Sequence, residues 1–154
     1  MASCSDAVIR TAFSEESGLL REIHRRASYI WVEDRPNLDA HPEIFGVDRR
    51  SLADGRVRVA IGASDEILGF ATWRPTSDDD AELDDLFVEP DAMRRGIGRA
   101  LVEDAADQAR HAGRSCLLVV AHQHTLSFYE RAGFEQKGAA ETRFGPALRL
   151  ARAL

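Results

Sequence analysis

Apolar and polar positions change period several times along the chain, and each change marks an element. Residues 7–12 alternate well enough for a short first strand. Ser14 stands where a helix N-cap is expected, with Glu15 and Glu16 in the first turn, where carboxylates suit the positive end of the helix dipole. Leu19, Leu20, Ile23, Ala27, Ile30 and Trp31 then recur at helical spacing, which predicts a helix to about Trp31 with this face inward. Pro36 and Pro42 punctuate the next stretch, and a second short helix is expected within residues 39–52.

From Val57 the period drops to two. Residues 57–61 and 67–73 read as an antiparallel hairpin turning at residues 63–66, and Asp78, Asp79 and Asp80 mark the next turn. Residues 81–88 form the following strand. Its end, Leu86-Phe87-Val88, is a continuous apolar run, as expected of a central strand covered on both faces. Helical spacing returns with Ile97, Ala100, Leu101, Ala105 and Ala109, closed by Gly113. Residues 116–121 are a second buried strand, and strand, helix and strand in this order predict two parallel neighbours. A short helix over residues 124–132 and two strands near 134–138 and 144–150 complete a mixed sheet.

Between the first of these central strands and its helix lies Met93-Arg94-Arg95-Gly96-Ile97-Gly98-Arg99-Ala100-Leu101. Two glycines one residue apart let the backbone approach a ligand closely, and the helix beyond them offers unpaired N–H groups and a positive dipole end. This is a cradle for a pyrophosphate. A dinucleotide fingerprint would place a third glycine where Leu101 stands, and a Walker loop would close on Gly-Lys-Ser/Thr, so the cradle suits a phosphate-bearing cofactor of another kind.

Composition narrows the setting. The 154 residues suffice for one domain with a real core, and 44% hydrophobic and 30% charged residues are ordinary globular usage. No apolar run reaches membrane-spanning length, and residues 1–6 lack the features of a signal peptide, so a cytoplasmic protein is expected. A formal charge of −6 argues against nucleic acid as a partner and suits a cationic one. Cys4 and Cys116 are expected to be unpaired, with Cys116 a small core residue.

The cradle, followed about one strand later by Phe128-Tyr129-Glu130-Arg131-Ala132-Gly133-Phe134, resembles the GNAT family of acyl-CoA-dependent N-acetyltransferases over roughly residues 67–150. The resemblance implies an α/β fold, with a mixed, mostly antiparallel sheet between helical layers and two central parallel strands, near Leu86 and Val119, that splay apart. It implies acetyl-CoA as cosubstrate and a small-molecule or protein amine as acceptor. Main-chain N–H groups over Arg94, Arg95, Gly96, Ile97, Gly98 and Arg99 would hold the pyrophosphate. The backbone at Leu86, Phe87 and Val88 would pair with the pantetheine arm as with an added strand. The family pattern has Gln or Arg where this chain has Met93, and often Asn where it has His122. His122 is therefore a candidate for cofactor contact or proton relay. His122 and His124 lack a third ligand, and no metal is expected. A homodimer is compatible with the resemblance.

Acetylating an amine requires removal of its proton and a proton for the departing thiolate. Glu82 matches the general-base glutamate of the histone-acetylating branch, Asp84 shares its strand face while Asp85 points away, and a water chain is the third route. By the resemblance Tyr129 lies near the cofactor sulfur and is the proton donor, whereas Phe128 reads as core. Direct transfer in a ternary complex is expected because neither cysteine has an activating setting. The rival readings are an acyl-CoA-binding or regulatory module without chemistry and a nucleotide-dependent oxidoreductase, the latter opposed by Leu101.

Overall fold

In a computed structural model the chain is described over residues 7–76 and 79–154. Asp78 of the acidic turn and Cys4 lie outside the described residues. The strands are β1 (Val8–Thr11), β2 (Val57–Ile61), β3 (Ile67–Pro75), β4 (Asp80–Val88), β5 (Cys116–Ala121), β6 (Glu135–Thr142) and β7 (Gly145–Ala153). They form one sheet in the order β1-β2-β3-β4-β5-β7-β6. The helices are α1 (Ser17–Ser28), α2 (Arg35–Ala40), α3 (Arg49–Ala53), α4 (Ile97–His111) and α5 (Leu126–Arg131).

As the strand–helix–strand order requires, β4 and β5 are parallel, with Asp80–Leu83 in register with Cys116–Val119. Leu86 lies beyond that register. The pairs β1–β2, β2–β3, β5–β7 and β6–β7 are antiparallel. Thr76 N–H donates to Asp80 O at 3.0 Å and Glu89 N–H to Leu68 O at 2.8 Å, so seven residues of β3 (69–75) face eight of β4 (81–88). The extra residue makes β4 the bulged strand of the pair.

Several elements depart from the sequence expectation for local reasons. Ser14 opens a 3₁₀ turn (Ser14–Glu16) instead of capping α1. The capping work falls to Glu16, whose carboxylate accepts from Phe13 N–H at 2.7 Å and from both terminal nitrogens of Arg10 at 2.9 and 2.8 Å. The buried stripe of α1 is Leu20, Ile23, His24 and Ala27, which fits i, i+3, i+4, i+7. Leu19 falls outside it and is 58% exposed, and Ile30 lies past the helix end. Residues 39–52 hold no single helix. His41 precedes Pro42 and leaves helical geometry at φ −134°, ψ 62°, as a residue before proline tends to. That separates α2 from a 3₁₀ turn at Pro42–Ile44 and from α3. The last two strands are longer than expected, because Gly and Ala within β6 and β7 weaken the strand signal.

The chain divides into two compact units. In the unit of residues 7–72 and 85–104, Ala12, Leu20, Ile23, Val57, Val59, Ile61 and Phe70 form a core, with Phe87 packed against it. Arg58 ties this unit together: Nε and Nη2 donate to the two oxygens of Asp104 at 2.7 and 3.1 Å, and Nη1 donates to Thr11 Oγ1 at 2.7 Å. Gly69 permits a close approach of main chain to main chain within it. A Cβ there would sit 2.7 Å from the Phe87 carbonyl oxygen and 3.1 Å from Val88 Cα.

The second unit, residues 73–84 and 105–154, is centred on Leu83, Leu117, Val119, Phe134 and Leu150, all nearly inaccessible. In this unit α4 ends on Gly113 at φ 80°, with Gly113 N–H donating to Arg110 O at 3.0 Å and Arg114 N–H to Ala109 O at 3.0 Å.

Candidate active site

The cradle belongs to the first unit. Arg26 donates through Nε and Nη2 to both oxygens of Glu89 at 2.9 and 2.8 Å, fixing the point where the chain leaves β4. After a 3₁₀ turn at Pro90–Ala92, Met93 is extended, Arg94 is left-handed at φ 64° and Gly96 at φ 80°. Helix α4 starts at Ile97, and Ala100 N–H donates to Gly96 O at 3.0 Å. The amides of Ile97, Gly98 and Arg99 precede that first bond and have no acceptor inside the helix. Left-handed residues just ahead of a helix start turn successive N–H groups to one side, making a concavity suited to an anion. Arg94, Arg95 and Arg99 are exposed around it, while Ile97 is buried and anchors the first turn. A non-glycine residue in the left-handed region costs about 1–2 kcal/mol, so the shape at Arg94 is held by its surroundings.

Leu86, Phe87 and Val88 are all half-buried. The Phe87 ring turns inward, 5.7 Å from Phe70 and stacked on His24 at 3.9 Å, so any cofactor contact by Phe87 is left to its backbone. His24 is 8% exposed, meets Phe45 edge-on at 5.2 Å, and accepts a hydrogen bond at Nδ1 from Gly46 N–H at 3.1 Å. Burial pushes its pKa down to about 4, so the ring is neutral at physiological pH with its proton on Nε2.

The second unit carries Glu82, His122 and Tyr129. Glu82 is not open on all sides: Arg74 of β3 donates through Nη2 to its Oε2 in a short ion pair. The same guanidinium reaches Asp84 through Nε, 3.1 Å from Oδ1 and 3.0 Å from Oδ2. One arginine bridging Glu82 and Asp84 places both carboxylates on one face of β4, as the alternation predicts. Tyr129 is buried on α5, with Phe128 at 5.1 Å and Phe134 at 5.5 Å, both edge-on. Burial raises its phenol well above the usual range, so it keeps its proton at all working pH values. Phe128 is half-buried rather than fully core. His122 is exposed at the head of a 3₁₀ turn, and its ring stacks on His124 at 5.5 Å. Cys116 is half-buried, and burial raises its thiol, which makes it a poor nucleophile.

Two residues of consequence escape the sequence reading. His24 lies on the apolar stripe of α1 and is found by extending that stripe to i+4. Arg74 has only a weak signal, a lone cation at the end of an apolar strand before an acidic run.

The profile of the Acetyltransferase (GNAT) domain matches residues 53–136, more than half of the chain. Streptothricin acetyltransferase of Streptomyces lavendulae is 31% identical over 110 residues, covering 66% of this chain and 58% of that protein. An uncharacterized N-acetyltransferase of Methanocaldococcus jannaschii is 40% identical over 60 residues, covering 37% of this chain and 26% of that protein. The chain thus spans from about a quarter to three-fifths of the length of these relatives. Among solved structures, the PaiA N-acetyltransferase of Thermoplasma acidophilum in complex with coenzyme A is similar in fold, with a TM-score of 0.79 over 97% of this chain and 99% of that one at 18% identity.

Proposed function

The chain belongs to the acetyltransferase (GNAT) family, and from that premise we propose that it transfers the acetyl group of acetyl-CoA to a primary amine by direct attack in a ternary complex. The observation that carries this reading is the backbone from Arg94 to Ala100, with left-handed Arg94 and Gly96 ahead of a helix start whose first amides lack helical acceptors. Such a concavity binds a diphosphate through fixed N–H dipoles without needing a particular side chain. Met93, in place of the family's Gln or Arg, is therefore compatible with binding.

The cofactor supplies an activated acetyl thioester. Glu82 takes one proton from the acceptor ammonium, freeing the lone pair that attacks the thioester carbon. The C–N bond forms, the C–S bond breaks, and the second amine proton balances the departing thiolate, for which Tyr129 is the donor. The sum is R–NH₃⁺ plus acetyl-CoA giving R–NH–acetyl, CoA and one proton. Burial keeps the Tyr129 phenol in the protonated form a donor needs and disfavours the phenolate that donation leaves, so its proton has to be replaced from the amine as the thiolate departs.

One observation favours a second reading. The ion pair with Arg74 occupies one oxygen of Glu82, as it would in a module that binds acyl-CoA without using the carboxylate. A transfer screen with acetyl-CoA over a broad amine panel, read by free-thiol release, separates the two. Amine-dependent thiol release is the expected result. Saturable acetyl-CoA binding with no release on any amine would leave only the binding module.

A further inference from the structure

We propose that Arg74 is a positioning residue for the proton acceptor: anchored on Asp84, it holds Glu82 by Oε2 and leaves Oε1 to receive the amine's proton. This rests on the transferase reading above and assigns different tasks to two carboxylates that sequence alone leaves as alternatives.

The asymmetry of the contacts carries the argument. Arg74 Nε lies about equally far from both oxygens of Asp84, at 3.1 and 3.0 Å, so that carboxylate is engaged on both sides. Among the described residues Glu82 receives Nη2 alone, on Oε2. A carboxylate has two oxygens and about four lone-pair sites, so a single bond to Oε2 fixes its orientation without using up Oε1. Glu82 and Asp84 side by side on one strand face would otherwise repel, and the bridging guanidinium removes that cost. It also holds Glu82 against the rotation that a free side chain would have.

Stability does not account for the arrangement. The Arg74 side chain is 46% exposed, and exposed ion pairs add little to stability. A guanidinium suits this task better than an ammonium, because its planar fork spans two acceptors at fixed angles. Loss of Arg74 therefore acts on the rate through Glu82 and leaves the fold and the cofactor cradle intact. The proton balance is that of the transfer itself: one proton passes from the acceptor ammonium to Oε1 and then to solvent, while Arg74 keeps all of its protons.

The test is a double-mutant cycle on the full chain, with turnover on the best amine of the panel, the acetyl-CoA dissociation constant and melting temperature measured together. Arg74→Gln is expected to lower kcat about 10- to 100-fold, as misplacement of a reacting group does. The acetyl-CoA constant and melting temperature should stay near wild type. Arg74→Lys should recover part of the loss. In a Glu82→Gln background Arg74→Gln should cost nothing further, and Asp84→Asn should reproduce Arg74→Gln without adding to it. The NMR signal of Arg74 Hε should be protected from exchange in the wild type and lose protection in Asp84→Asn, whether or not turnover is being measured.

Independent, multiplicative rate losses for Arg74 and Glu82 would overturn the proposal, as would an unprotected Hε. Full turnover in Arg74→Gln alongside collapse in Glu82→Gln would overturn it while leaving Glu82 as the base. Full turnover in Glu82→Gln overturns both assignments, and failure to acetylate any amine overturns the transferase reading and this proposal with it.

Discussion

The two units present their candidate groups by different means. In the first, the candidate cofactor loop is made of main chain: left-handed Arg94 and Gly96, then the opening amides of α4. In the second, the candidate groups are side chains: Glu82 and Asp84 paired with Arg74, and Tyr129 packed among aromatic rings. Backbone dipoles survive most side-chain changes and fail when a residue blocks approach or cannot adopt the turn. Side-chain chemistry fails on the loss of a single oxygen. The first region should therefore be robust to charge and sensitive to bulk, and the second the reverse.

The largest effect expected from this contrast is at Glu82. Glu82→Gln should lower turnover about 100- to 10,000-fold near neutral pH, with partial recovery at high pH where free amine is abundant. Steady-state rates across pH, with the acetyl-CoA affinity measured in parallel, decide it. Equal losses of affinity and rate would erase the distinction between the regions.

Next is a stability effect confined to the first unit. His24 titrates at about 4 in the fold and near 6.5 when unfolded, so the unfolded chain takes up the proton first as pH falls. The associated stability is fully present above pH 6.5 and is lost progressively down to about pH 4, amounting to about 3 kcal/mol. His24→Gln keeps an acceptor for Gly46 N–H and has nothing to titrate there. Urea unfolding at pH 7 and pH 4.5 should show the wild type losing more stability than the variant. Parallel losses in the two chains would show that His24 does not set the acid sensitivity.

Tyr129→Phe comes third. Only the hydroxyl is lost and the ring still meets Phe128 and Phe134, so turnover should fall about 100-fold, the low end for acid catalysis, with cofactor affinity nearly unchanged. A loss of melting temperature without a specific rate loss would make the tyrosine a packing residue. The smallest effect belongs to the cradle. Gly98 lies inside α4 on helical backbone that alanine adopts without strain, so Gly98→Ala tests close approach rather than the turn. If the methyl weakens acetyl-CoA binding tenfold, stabilisation at a concentration of 100 wild-type dissociation constants falls from about 2.7 to about 1.4 kcal/mol. An unchanged thermal shift would place the diphosphate elsewhere.

Legibility in the sequence obeys the same division. The cradle is readable because its requirement is conformational: glycine at positions 96 and 98 and a helix pattern from Ile97 mark the backbone directly. The parallel pair β4–β5 is implied by strand, helix and strand, and the antiparallel hairpin by its period of two. Arg74 is not readable, because its meaning depends on which residues of β4 lie beside it, and that register is a property of the folded sheet. The end of α1 is hard to read for a related reason. Leu19 and Ile30 fit a helical period loosely, but only packing decides which rows of a helix face inward. The assignment of Glu82, Tyr129 and His122 to roles comes from the family resemblance, and geometry adds to it only what each side chain touches.

Gly69 bears on how this protein tolerates change. It lies in a β-strand with no ligand motif around it, yet a single methyl group there would press on the carbonyl of Phe87 and on Val88 Cα at 2.7 and 3.1 Å. Arg95 and Arg99 of the cradle, by contrast, are exposed and lack the left-handed backbone that constrains position 94. A saturation library across residues 60–105 should therefore show its sharpest intolerance at a plain strand glycine, while positions 95 and 99 accept many substitutions. The narrowest point of the sequence landscape would lie where β3 passes the backbone of Phe87 and Val88, at a residue with no side chain of its own.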